Sequence, residues 1–257
     1  MTAPAADPAE LARFAEMVTE AGESTLRWFR SSTLEVEWKG DGTPVTAADK
    51  TAERLLRRRI AETFPGDAVV GEEEADTDGT TGRTWIIDPI DGTKAFTHGV
   101  PLYSTLVAVE DEHGPLLGAI GLPALGELVL AGRGLGATCN GETARVSTRS
   151  ELTGSLVCTS GFGSWTPQLL AAIHARSDLL LRTWGDGFGY ALVATGRAEV
   201  MLDPAAARWD LGPMPLILGE AGGTFTDLTG RTGAHHGSGI ATNGHLHSEA
   251  LALVAGA

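Results

Sequence analysis

Residues 85–93 read Trp-Ile-Ile-Asp-Pro-Ile-Asp-Gly-Thr, and no other stretch restricts the chain so tightly. Three apolar residues, two of them β-branched, suit a buried strand, which delivers two carboxylates, Asp88 and Asp91, three positions apart. Pro89 is expected to turn the chain, and Gly92-Thr93 open a segment that can begin a helix. Hard anionic oxygens at a strand end, beside free backbone N–H groups, suit divalent cations on one side and phosphate on the other.

The chain's 257 residues can bury a substantial core, as one large domain or two fused lobes. Its formal net charge of −14 and lack of a basic stripe exclude a nucleic-acid backbone as partner. Carboxylates converging in one cleft would also repel an anionic substrate, so bound cations must invert the local field. Cys139 and Cys158 give neither a disulfide framework nor metal-ligand spacing and read as small core residues. The N-terminal stretch lacks basic and apolar signal regions, and no run approaches the roughly 20 apolar residues of a membrane span. A soluble cytoplasmic protein with no membrane partner is expected.

Helical spacing of Leu11, Phe14, Val18, Leu26 and Phe29 predicts a helix over 8–30, capped by Asp7 with Pro8 at its first position. After a strand at 34–38 and a turn-rich loop at 39–46, Thr46 offers a cap to a second helix. That helix carries Asp49 in its first turn and Arg57-Arg58-Arg59 as a solvated face. Strands at 69–70, 85–87, 105–109, 117–121 and 127–131 suggest an antiparallel sheet. Beyond about residue 150 the pattern becomes α/β: strands near 156–159, 199–202, 223–226 and 240–241, helices at 167–176 and 213–221, and a helix start at 182–186. We therefore expect one domain, 1–257, with intimately packed lobes at 1–148 and 149–257. Gly132 to Gly136 lacks dinucleotide-loop spacing and is followed by Thr138-Cys-Asn-Gly141, which reads as a hairpin turn. Arg145–Arg149 reads as a solvated turn, and His235, His236, His245 and His247 as loop or surface histidines.

The remaining acids at element ends are Asp49, Glu72 and Asp210, the last in Trp209-Asp210-Leu-Gly-Pro. Taken one at a time, each could be a cap or turn residue. Together, Gly71-Glu72-Glu73, Asp88-Pro-Ile-Asp91-Gly-Thr93 and Trp209-Asp210 followed by Glu220-Ala-Gly-Gly223 resemble the inositol monophosphatase family of magnesium-dependent phosphatases, in order over nearly the whole chain. The resemblance implies a mixed α/β fold, an αβαβα layered sandwich. It also implies two or three Mg²⁺ ions held by Glu72, Asp88, the carbonyl of Ile90, Asp91 and Asp210. It gives Glu72, Thr93 and Asp49 the water-activating role, and gives Gly92 and Thr93 N–H groups the phosphate. Lys39 sits where relatives keep a basic residue near the site, or is simply a surface lysine.

Further on, Trp184-Gly-Asp186-Gly-Phe-Gly-Tyr190 and Leu202-Asp203-Pro resemble the histidinol-phosphatases of this superfamily. Gly187, often Cys in those relatives, and Gly212, usually Ala, depart from the pattern. Asp186 and Asp203 could pair with the ammonium and imidazole of histidinol, although Asp186 could equally be a helix N-cap. The resemblance implies hydrolysis of L-histidinol phosphate, a small phosphate monoester, by a homodimer. Inositol 1-phosphate or a 3′-phosphoadenosine bisphosphate is the alternative substrate, and a non-catalytic metal-binding regulator is the alternative of another class.

Overall fold

Helix α1 (Pro8–Leu26) starts where Asp7 accepts a hydrogen bond from the Ala9 N–H at 2.9 Å, with Pro8 at the first position where no N–H is missed. The computed structural model describes residues 3–40 and 42–255; Asp41 of the expected 39–46 loop and the extreme ends of the expected 1–257 domain lie outside the described residues. After α1 come the antiparallel pair β1 (Val36–Trp38) and β2 (Pro44–Thr46), then α2 (Ala47–Thr63). The first half continues with β3 (Ala68–Gly71), β4 (Thr84–Asp91), α3 (Thr93–Thr97), β5 (Ser104–Asp111), β6 (Gly114–Leu122), β7 (Glu127–Gly132), β8 (Gly136–Cys139) and β9 (Glu142–Thr143). Strands β3 to β9 form one sheet in sequence order, antiparallel except for the β3–β4 pair.

The second half contains β10 (Leu156–Cys158), α4 (Pro167–His174), β11 (Leu180–Arg182), α5 (Asp186–Ala194), β12 (Val200–Asp203), α6 (Arg208–Leu211), α7 (Met214–Glu220), β13 (Thr224–Thr226), β14 (Gly239–Thr242) and α8 (His247–Ala255). Its five-stranded sheet runs β11-β10-β12-β14-β13.

Side-chain alternation along the strands sorts the core into layers. Trp85, Ile87, Val107 and Val109 point to α1 and α2, packing on Phe14, Val18, Leu56 and Ile60. Leu106 and Ile120 point the other way, onto α5 and α7, whose opposite sides meet Met201 and Ala241 of the second sheet. Val200, Leu202 and Ile240 face outward onto α4 and α8. The result is the expected αβαβα sandwich. Trp85 is fully buried, packs on Phe14 and Phe64, and donates its indole N–H to Asp67 at 2.9 Å. Truncating such a side chain to alanine costs about 3–5 kcal/mol.

Several expectations need correction. Helix α1 stops at Leu26 rather than residue 30, and Arg30 has a left-handed φ of 59°. Pro89 does not end its strand: β4 runs on to Asp91, with the register against β5 shifting between Asp88 and Asp91. Proline contributes no N–H to the ladder, so the strand bulges there while pairing resumes beyond it. Residues 182–185 are not helical, because Arg182 closes β11 and α5 opens only at Asp186. Arg57 is not on a solvated face; it pairs with the fully buried Glu53. The expected hairpin turn at 138–141 joins β8 to β9, with Asn140 and Gly141 at left-handed φ of 50° and 82°, and the preceding Gly134 and Gly136 N–H groups donate to the Glu220 carboxylate. His235, His236 and His245 are exposed. His247, by contrast, is half-buried between the hydroxyls of Thr226 and Thr242, at 3.0 and 3.1 Å.

Candidate active site

Strand β4 and helix α6 bring three acids together. Asp88, Asp91 and Asp210 each offer a carboxylate oxygen within 4.8 Å of the others. Local structure holds each one. Asp88 accepts from the Ile90 N–H at 3.0 Å across the bulge, and Asp91 accepts from the Ser104 hydroxyl at 2.6 Å and from the Gly187 N–H. Asp210, in the first turn of α6, accepts from the Ala207 N–H at 2.7 Å.

Among the described residues no Lys, Arg or His forms an ion pair with any of the three. Burial, and then the charges of Glu72, Asp91 and Asp210, push Asp88 well above the ordinary carboxylate range. Burial, and then Asp186 and Asp210, do the same to Asp91, and burial lifts Asp210 to about 7. Buried oxygens that repel one another and lack a countercharge are the donor set a hard divalent cation would satisfy. The group could hold a metal ion.

Glu72 follows β3 at the edge of this cluster. Lys39 reaches it from the β1–β2 loop, with Nζ 2.7 Å from Glu72 and 2.9 Å from Glu73. Burial alone would lower the pKa of Lys39, but the hydrogen bonds and charges of both glutamates raise it. Glu73 itself is pushed by burial to about 7. Lys39 is thus no free surface lysine; its ammonium is engaged by carboxylates.

Asp49 and Thr93 form the third side. Asp49 completes a capping box at the start of α2, accepting from the Thr46 N–H at 2.8 Å and the Thr46 hydroxyl at 2.5 Å. Its other oxygen lies 3.5 Å from the Thr93 hydroxyl, which donates to the Ile90 carbonyl at 2.9 Å. Fully buried, Asp49 is pushed to about 6. Gly92 has φ of 78° and leaves so little room that a Cβ there would sit 2.9 Å from Asp186 Oδ2.

Across from these acids, the second half supplies Asp186 and Asp203. Asp186 is not an N-cap: Gly185 takes that position, and Asp186 is the first helical residue, with φ of 53°. Its N–H donates to the Ser160 hydroxyl at 2.8 Å, and that hydroxyl donates to Asp203 at 2.7 Å. Burial raises Asp186 and lifts Asp203 to about 6. The Tyr190 hydroxyl, 1% exposed, faces Asp203 without reaching good hydrogen-bond geometry and has no partner among the described residues. Asp186, Asp203, Ser160 and Tyr190 line, together with Asp91 and Asp210, a pocket of about 80 Å³. It opens beside a cleft of about 610 Å³ bounded by Glu72, Asp88, Thr93 and Asp210. A groove of about 490 Å³ between α1 and β6–β8, lined by Val18, Leu26, Leu122 and Leu128, carries no such convergence of acids.

The flanking glycines have a local reason. A Cβ on Gly185 would lie 2.1 Å from Ser160 Cα, and one on Gly187 would lie 2.2 Å from Ser104 Oγ. Gly212 likewise lies against Ile86 and Ala108. Sequence reasoning missed Ser160, Ser104, Tyr190 and Glu53; nothing in the neighbours of Ser160, Ser104 or Glu53 distinguishes them from ordinary loop, strand or helix residues. The aromatic Gly-Tyr step was a signal for Tyr190 alone.

A model of the inositol monophosphatase family matches residues 7–256. A histidinol-phosphatase of Chlorobaculum parvum is 43% identical over 228 residues, 88% of each chain. One from Mycobacterium tuberculosis is 38% identical over 243 residues, 91% of this chain and 94% of its own. Among solved structures, the extragenic suppressor protein suhB of Bartonella henselae superposes with a TM-score of 0.88 at 28% identity, covering 96% of this chain and 98% of that one.

Proposed function

The chain belongs to the inositol monophosphatase family, and from that premise we propose that it is a Mg²⁺-dependent phosphatase that converts L-histidinol phosphate and water to L-histidinol and inorganic phosphate. The observation carrying this reading is that Asp186 and Asp203 line the same small pocket as Asp91 and Asp210. A cationic leaving group would sit against those two carboxylates while its phosphate lies in the wider cleft. The histidinol-phosphatase names of the two relatives support the same substrate.

In this reading two or three Mg²⁺ ions are held by Glu72, Asp88, the Ile90 carbonyl, Asp91 and Asp210. They would neutralise the acids, polarise the phosphoryl group and make a water nucleophilic near neutral pH. The protein's own groups do the rest. Glu72 and the Thr93 hydroxyl orient the attacking water, and Asp49, one oxygen toward Thr93, takes its proton. Gly92 and Thr93 N–H groups hold a phosphate oxygen. Lys39, released from Glu72, balances phosphate charge. Asp186 and Asp203 bind the departing ammonium or imidazole. Residues 1–148 then serve metal and phosphate and 149–257 the leaving group, Asp210 being the metal ligand that the second part contributes. A cytoplasmic homodimer completes the proposal; among the described residues no helix is long and apolar enough to cross a membrane.

The deciding experiment compares kcat/KM for L-histidinol phosphate, inositol 1-phosphate and 3′-phosphoadenosine 5′-phosphate with Mg²⁺ present. Preference for the first supports the proposal, and preference for either other ester replaces its substrate. Absence of turnover with all three would leave a metal-binding regulator.

A further inference from the structure

Glu53 lies one helical turn after Asp49 on α2, so the two carboxylates share a helix face. Asp49 turns toward Thr93, whereas Glu53 reaches under the turn that follows β3. Glu53 is fully buried, and both its oxygens are engaged. Oε2 accepts from the Glu73 N–H at 2.9 Å; Oε1 accepts from the Glu74 N–H at 3.1 Å and from Arg57 Nε at 2.9 Å. Arg57 in turn donates Nη2 to the Glu74 carbonyl at 3.0 Å and Nη1 to Thr77 at 3.2 Å. Gly71 makes room for this contact, since a Cβ there would stand 2.3 Å from Glu53 Oε1 and 2.8 Å from Arg57 Nη2.

We propose that Glu53, locked by Arg57, is the positioning residue that sets where the Glu72 carboxylate stands. The inference rests on the reading of Glu72 as a metal-holding and water-orienting group. Among the described residues the Glu73 and Glu74 N–H groups have no ladder partner and donate to Glu53, so the carboxylate replaces a strand as their acceptor. A carboxylate rather than an amide is required: three donors from two directions converge on two oxygens, and the NH₂ of a glutamine would face one of them. Glu53 touches neither the cleft nor a substrate; it acts through Glu72 alone.

The test is a double-mutant cycle read by Mn²⁺ affinity of the full chain, measured by calorimetry, with melting temperatures recorded for each variant. Glu53→Gln should weaken Mn²⁺ binding by about tenfold, as loss of an outer-sphere partner typically does. Glu72→Gln should weaken it at least as much. The double variant should then bind within about threefold of Glu72→Gln, because a displaced Glu72 and an absent one are equivalent to the ion. A larger multiplication, or a Glu53→Gln affinity within about twofold of the parent, overturns the proposal. If Glu72→Gln alone leaves Mn²⁺ affinity unchanged, it is the metal-ligand reading that fails instead. Should Glu53→Gln not fold, Arg57→Lys keeps the ion pair but loses the contact to the Glu74 carbonyl. It should weaken Mn²⁺ by about threefold in the parent and not at all in the Glu72→Gln background; equal losses in both overturn the proposal.

Discussion

Asp88 and Asp91 stand on one strand of the seven-stranded sheet, whereas Asp186 and Asp203 are brought opposite them by a helix start and a strand end of the other half. The first pair, with Asp210, is held by only a few hydrogen bonds and left crowded with like charge. The second pair is bridged by the Ser160 hydroxyl, which accepts from the Asp186 N–H and donates to Asp203. One set is therefore left without a countercharge among the described residues, while the other is tied together by a protein hydroxyl. Like charge crowds both sets, Asp186 acting on Asp91 and on Asp203 alike, and the difference lies in the hydroxyl bridge that only the second has.

The largest expected effect separates the two sets by activity. Asp88→Asn should lower kcat/KM by about a thousandfold or more while leaving the metal-free melting temperature undiminished, since a repelling buried charge has been removed. Near-parental turnover would merge the two sets and defeat the metal assignment. Asp186→Asn should instead raise KM for L-histidinol phosphate by about 10- to 100-fold and change p-nitrophenyl phosphate hydrolysis little. Equal effects on both substrates would show that Asp186 belongs with the metal acids.

A third comparison uses pH. Asp49 and Asp203 are pushed to about 6, and Glu73 and Asp210 to about 7, all above their unfolded values. The folded state therefore holds these protons more tightly, so the stability they contribute is complete below about pH 4 and is lost as pH rises through 6 to 7. Chelator-treated protein should melt higher at pH 5 than at pH 8 by on the order of 5 °C, and Mg²⁺ should recover most of that difference at pH 8. Melting that rises over this interval without metal would contradict the raised carboxylates. The smallest effect is expected at Lys39: Lys39→Gln should tighten Mn²⁺ binding by about threefold, because Glu72 and Glu73 lose a competing cation. Weaker binding in that variant would give Lys39 a supporting rather than a competing role toward the ion.

The acids of the first half were legible because their signals are local. Asp88 and Asp91 sit on a single hydrophobic run, and Thr46 with Asp49 three residues later is a capping box readable from residue types. The opposite side was half legible. Asp186 and Asp203 stood out as acids in a family-like stretch, but the Ser160 bridge joins residues 26 and 43 positions apart and leaves no periodic trace. Glu53 looked like one more charge on a polar helix, and Arg57 like one of three solvated arginines, because burial beneath a loop is a tertiary fact. Pro89 misled in the opposite direction. Its local preference for a turn yielded to pairing with β5 on both sides of the bulge.

The crowding at Gly185 and Gly187 has a bearing on retargeting this pocket. A side chain introduced at Gly185 would collide with the Ser160 backbone, and one at Gly187 would need the Ser104 and Leu106 side chains to move, before either could touch a new substrate. A library aimed at different esters should therefore randomise residues 160, 190 and 203, keeping the two glycines as the hinge pins around which Asp186 is aimed.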